Sequence, residues 1–262
     1  MSRNAVPLTI ALPPYHHVNE LRSAGVDLAG VDASFVDPRT PDADVFELPL
    51  LDHLVAREAG DDRVTALPVF LSRRFLHSWI HVRNGGPELV EPDPTASVYA
   101  RGILLDMGET ADVVVAPPAA LRGVEGVRPL FARPAVLERQ WLAATQVFPI
   151  LRVLCVRTEL LRSHRWLGSN LYRAFEVARR RYFARLEDIR GSRVPIPSAA
   201  AHLRRLRETF GGEAWSYGVE PNRPTLQAFL RYAAAQEIAV HRADVAELFA
   251  PVEPFVDFTD GV

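Results

Sequence analysis

The chain has 262 residues, of which 48% are hydrophobic, and a formal net charge of −2. That is enough for a sizeable core, as one large domain or two lobes, and the near-neutral balance argues against a nucleic-acid-binding surface. All 30 basic residues are Arg, which excludes a Schiff-base lysine, lysine-held pyridoxal phosphate and a Walker-A phosphate loop, because each needs an amine.

Residues 6–12 read as a buried strand stopped by Pro13 and Pro14, with Tyr15, His16 and His17 where a βα turn would face a cleft. This first apolar run is too short for a signal sequence, and no later run approaches membrane-spanning length, so a cytoplasmic chain without a membrane segment is expected. A short helix over 18–24, a strand over 31–36 and a loop over 38–44 follow, and Phe46-Glu47-Leu48 leads into a helix over 50–56. Residues 84–94 are turn-rich. After them come a helix over 95–105, a buried strand over 111–116, a helix over 134–144 and a strand over 150–156. The lone Cys155 lies in that last apolar run and reads as core, with no disulfide possible within the chain.

The longest helix is expected over 169–189. Leu171, Phe175, Ala178, Tyr182, Leu186 and Ile189 form one face there, and Arg179-Arg180-Arg181 is read as solvated. Helices over 198–210 and, after Pro224, over 226–235 come next, and Asp244 with Glu247 makes a capping-box start for a short final helix.

This order predicts an α/β chain of two lobes joined by two crossings, with a ligand cleft between them. Residues 1–83 plus 157–262 would make the first lobe, and residues 84–156 a smaller second one. The stretch over 67–83 is central: an apolar run ends in Ser72, Arg73, Arg74 and His77, then a second strand-like run begins at Trp79. Polar clusters at strand ends are where open α/β sheets hold ligands. Arg pairs with a carboxylate in two places at once, and His can give or take a proton near neutral pH. The cluster therefore predicts a site for an organic acid.

The same residues resemble the 4,5-dihydroxyphthalate decarboxylase family, which has the type 2 periplasmic-binding-protein fold. The most specific match is P-V-F-L-S-R-R-F-L-H-S-W-I-H-V-R over 68–83, against a family pattern like P-V-F-x-S-R-x-F-R-H-S-x-I-x-V-R. Further matches are F-E-L at 46–48, T-A-S-V-Y-A-R-G-I-L at 95–104, F-P-I at 148–150 and W-L-G-S-N-L-Y-R-A-F at 166–175. W-S-Y-G at 215–218 and E-L-F at 247–249 complete a series in family order along nearly the whole chain. Family members look longer, with the missing material between Arg83 and Ala111, so the second lobe should be reduced. Leu76 stands where the family pattern has Arg, Pro49 where it has Ser, and Arg152 where it has His.

The resemblance and the chemistry of removing a carboxylate from a hydroxylated ring together imply roles. His77 would be general acid, Glu47 the base or its orienter, and Arg73 the carboxylate clamp. Ser72 and Thr95 would bind substrate oxygens, and Arg152 would add a second anion clamp. Tyr15, Arg101, Phe148 and Tyr217 would complete the cleft. The expected activity is a cofactor-independent lyase, most simply a decarboxylase of a small hydroxylated aromatic or cyclic acid, repurposed in a specialised biosynthetic pathway. The alternatives are a dehydratase or cyclase in the same cleft, or a non-catalytic organic-anion-binding protein. No metal is expected, since the histidines lack a recognisable ligand spacing. The partner would be a small organic acid, with neither nucleic acid nor membrane, and an exposed cleft on a reduced lobe would favour a homodimer.

Overall fold

The computed structural model describes residues 5–23, 25–85, 113–187, 199–210, 212–213, 215–239 and 244–253. In chain order the first half holds β1 (Val6–Ala11), α1 (Asn19–Arg22), β2 (Val31–Val36), β3 (Val45–Pro49), α2 (Leu50–Glu58), β4 (Val64–Arg73) and β5 (Ile80–Arg83). The second half holds β6 (Val113–Val115), β7 (Val127–Pro129), α3 (Pro134–Thr145), β8 (Ile150–Arg157), α4 (Thr158–Ser163), α5 (Leu167–Glu187), α6 (Ala199–Phe210) and α7 (Arg223–Ala235).

The larger sheet has the order β2-β1-β3-β8-β4 and the smaller one β6-β5-β7. β1 runs parallel to β2 and β3, whereas β8 is antiparallel to both β3 and β4. The carboxyl ends of β1, β3 and β4 therefore share one edge of the sheet with the start of β8. Ligands of open α/β sheets gather at such an edge. Ile10, Val45, Leu67, Phe70, Val153 and Leu154 are fully buried in the core of this sheet. They come from near-continuous apolar runs, as a sheet covered on both faces requires. α5 packs on β4, and α2 on β3 and β8.

The α/β class and the unequal pair of sheets are as expected, and several details differ. Phe46-Glu47-Leu48 is itself a strand, too short for a periodicity to announce. β7 and α4 were not foreseen, being only 3 and 6 residues long. β5 pairs in the smaller sheet and β8 in the larger. Residues 74–79 join the larger sheet to the smaller one, and residues 130–149, including α3, lead back to it. The helix expected over 95–105 lies outside the described residues.

The arginine run of α5 is not solvated throughout. Arg179 is 2% exposed, with Nε 2.9 Å from Glu176 Oε2 and Nη2 2.6 Å from Glu176 Oε1. A third contact joins Arg179 to Glu213 beyond α6. At Asp244 the capping box forms: its side chain accepts from the Ala246 N–H, and Glu247 accepts from the Asp244 N–H.

Candidate functional site

β4 carries register shifts between Ala66 and Arg73. Such irregularities re-aim side chains near sites. From Ser72 to Leu76, across the end of the strand at Arg73, successive residues serve two surfaces. Ser72, Arg74 and Leu76 line a cavity of about 410 Å³ between the two sheets. Its wall also includes Pro49 and Asp52 at the start of α2, Trp79 and Val115 from the smaller unit, Arg152 of β8 and Phe229 of α7. Arg73 and Phe75 instead meet Phe148, with the Arg73 guanidinium 4.8 Å from the Phe148 ring centre and the Phe75 ring also 4.8 Å away.

Glu47 and Arg152 are diagonal neighbours across the β3–β8 ladder, since Pro49 sits opposite Arg152 and Glu47 opposite Leu154. Glu47 Oε1 lies 3.3 Å from Arg152 Nη1. Tyr15, just beyond β1, donates its hydroxyl to Glu47 Oε2 at 2.7 Å. Burial and then the Glu47 carboxylate raise the Tyr15 phenol well above its ordinary value, so it stays protonated. The result is a polar chain, Tyr15–Glu47–Arg152, whose last member lines the cavity.

The other surface is aromatic. Ring contacts run from Tyr15 to His17 at 5.5 Å, His17 to Trp215 at 5.5 Å, and Trp215 to Phe148 at 6.0 Å. They continue from Phe148 to Phe75, from Phe75 to Trp141 at 6.0 Å, and from Trp141 to His77 at 6.1 Å. Arg73 is buried in this wall and donates from Nη2 to the Phe148 carbonyl at 3.0 Å. His17 Nε2, His77 Nδ1 and Trp141 Nε1 are buried without a hydrogen-bond partner among the described residues. Buried polar atoms normally have partners, so these mark the wall as a surface a ligand can complete. Tyr217 is fully buried under the Arg179 guanidinium, 5.5 Å from its ring, and burial raises its phenol strongly.

The residues predicted from sequence therefore divide. Ser72 and Arg152 line the cavity, and Glu47 and Tyr15 reach it through Arg152. Arg73, His77 and Phe148 belong to the aromatic wall. Thr95 and Arg101 lie outside the described residues. Three readings change. Arg74, not Arg73, shares the cavity with Ser72, while Arg73 turns to Phe148. Arg152 already has Glu47 as its anion, so its charge is offset rather than open. Burial lowers the His77 imidazole, so it is neutral near pH 7 and acts as an acid only after first taking up a proton. Arg74 was legible in retrospect from its two-residue spacing to Ser72. Asp52 carried no such signal. Leu76, where the resembled pattern has Arg, is an apolar part of the cavity wall.

An α/β chain with a cavity lined by Ser72, Arg74 and Arg152 at the carboxyl edge of its sheet is thus defined by fold and site. Its relatives are consistent with that. A 4,5-dihydroxyphthalate decarboxylase of Comamonas testosteroni is 29% identical over 317 aligned positions, covering 93% of this chain and 96% of the relative. The enzyme of the same name from Pseudomonas putida is 36% identical over 91 residues, which is 31% of this chain and 35% of that one. The chain is a divergent relative of these enzymes. It is also shorter, since the first alignment runs over 317 positions and the chain has 262 residues. No protein-family model matches the chain. Solved structures of similar outline include a putative periplasmic sulfonate-binding protein of Methylobacillus flagellatus, 12% identical over 95% of this chain and 92% of that one, with a TM-score of 0.48. An ABC transporter protein of Parabacteroides distasonis is 11% identical, covering 95% and 99%, with a TM-score of 0.42. No described helix is long and apolar enough to cross a membrane.

Proposed function

We propose that this chain is a carbon–carbon lyase that removes CO2 from a small hydroxylated aromatic or cyclic carboxylic acid, in the cytoplasm and without an organic cofactor. The observation that carries this reading is the Tyr15–Glu47–Arg152 chain ending at a cavity that also presents Ser72 and Arg74. The near-full-length similarity to enzymes named as decarboxylases supports it.

The chemistry needs one proton in and one CO2 out. Loss of a hydroxyl proton pushes electron density into the ring, and the ring carbon ortho or para to that oxygen takes a proton. The bond to the carboxylate then breaks and its electron pair returns to the ring. Glu47, held by Tyr15 and Arg152 just behind the cavity wall, takes the hydroxyl proton through one bridging water. That proton passes to the ring carbon, and after CO2 leaves the phenolate oxygen takes one proton from water, so no external reductant or oxidant is required. Neutral His77 on the adjoining wall is the second proton carrier once it has been charged.

The test incubates the chain with hydroxylated benzoic and phthalic acids in D2O and follows CO2 together with deuterium at the vacated carbon. Glu47→Gln should lower kcat by about 100-fold or more, in the range of general acid–base catalysis, while leaving acid binding in place. Binding of these acids without any CO2 would make the chain an anion-binding protein instead.

A further inference from the structure

The charges around the cavity bear on which acids it admits. Two guanidiniums, Arg74 and Arg152, line it, and so does one carboxylate, Asp52. A second carboxylate, Glu47, sits 3.3 Å from Arg152. Arg74 makes no ion pair among the described residues, and its guanidinium lies 4.9 Å from the Trp79 ring centre. Stacking on an aromatic face leaves the edge of the guanidinium, with its paired N–H groups, available for a planar carboxylate. Asp52 occupies the first turn of α2, where it complements the positive end of that helix, so the helix start offers no second anion site. Most of the remaining wall is apolar, including Leu51, Leu76, Ile150 and Phe229, and Ser72 and Gln236 supply neutral polar groups.

We infer that the cavity is a monocarboxylate site: Arg74 holds the single carboxylate of a hydroxylated ring, and Asp52 with Glu47 disfavours a second one. This rests on the decarboxylase reading for the place of the reaction, not for the discrimination itself. A ring bearing two carboxylates would bring two negative charges to a pocket in which Arg152 is already paired with Glu47, Asp52 adds a further carboxylate, and only Arg74 has no ion pair among the described residues. Like charges brought together away from bulk water cost affinity and set specificity. A ring bearing one carboxylate meets Arg74 and apolar surface, and its hydroxyls meet neutral donors and acceptors. The side chain that sets the preference is therefore Glu47 acting on Arg152, with Arg74 as the anchor.

Calorimetric titration of the intact chain with 3,4-dihydroxybenzoate and 4,5-dihydroxyphthalate tests this, because the two probes share a ring and differ by one carboxylate. The monoacid should bind about tenfold or more tighter, the scale of one charge-assisted contact. Arg74→Gln should remove about that factor for the monoacid. Glu47→Gln, which releases Arg152, should shift the ratio toward the diacid. Equal or tighter binding of the diacid, an unchanged monoacid affinity in Arg74→Gln, or no binding of either probe each overturns the inference. CO2 release in the same samples is read separately. A bound monoacid that is never turned over sinks the lyase reading and leaves the specificity standing, whereas turnover of a preferred diacid does the reverse.

Discussion

Glu47 and Arg152 meet diagonally across two antiparallel strands, 3.3 Å apart, with the glutamate side chain 12% exposed and the arginine side chain 42% exposed. A pair so placed adds little to folding, because water screens the outer partner. Its effect should show in the chemistry. Arg152→Gln is expected to lower turnover by about tenfold or more by releasing the Glu47 carboxylate from its orientation. Its thermal unfolding midpoint should stay near that of the parent. A midpoint that falls in step with activity would mean the pair is structural.

Arg179 makes the opposite case. Its guanidinium and the Glu176 carboxylate are both almost wholly buried in α5, and Glu213 reaches in from beyond α6. Burial disfavours charge on Glu176, yet its arginine partners outweigh that and lower its pKa below the ordinary 4.5. Arg179→Met should cost about 3–5 kcal/mol in urea unfolding, since it strands a buried carboxylate. Adding Glu176→Leu should recover part of the loss. Because the folded-state value is depressed, this stabilisation is present above the unfolded value near 4.5 and is lost as pH falls below it. A single variant within about 1 kcal/mol of the parent would sink this account.

How far this was legible in the sequence follows from what each signal measures. The apolar runs of β1, β4 and β8 announced buried strands because an α/β sheet covered on both faces needs them. Ser72 was expected at the end of an apolar run, where strand ends collect ligand groups, Tyr15 at a turn facing the cleft, and Glu47 from the family resemblance. Register was not foreseen. The two-residue spacing of Ser72 and Arg74 hinted at their shared surface, whereas the irregular pairing of β4 up to Arg73 is something no residue list reports. The burial of Arg179 was equally hidden, because its partner Glu213 comes from 34 residues away. A helical stripe ranks side chains by polarity and does not see a distant carboxylate.

His17 gives a pH-dependence that can be separated from the rest. Burial, then Arg179 and His16, lower its imidazole from 6.5 to about 4. An unfolded chain therefore takes up a proton here before the folded one does. The stabilisation is complete above pH 6.5 and is lost as pH falls toward about 4. His53 and His77 are lowered as well and add to the same slope. Urea unfolding across that window should show a slope reduced by up to about 1.4 kcal/mol per pH unit in His17→Gln, the contribution of one proton. If parent and variant slopes coincide, His17 is not held neutral by the fold.

Cys155 supplies a probe of opening. It lies on β8 between Phe46 of β3 and Ala66 of β4, with no exposed surface, and burial pushes its thiol up to about 12. The thiolate is the reactive form, so the folded chain should scarcely react with an aromatic disulfide reagent. Labelling should occur only from molecules in which the central strands have parted. The logarithm of the labelling rate should then rise with urea along the same slope as global unfolding, since β8 is paired on both sides and cannot open alone. A rate that ignores low urea would show instead that the strand breathes locally, which would place a weak point at the return crossing beside Arg152.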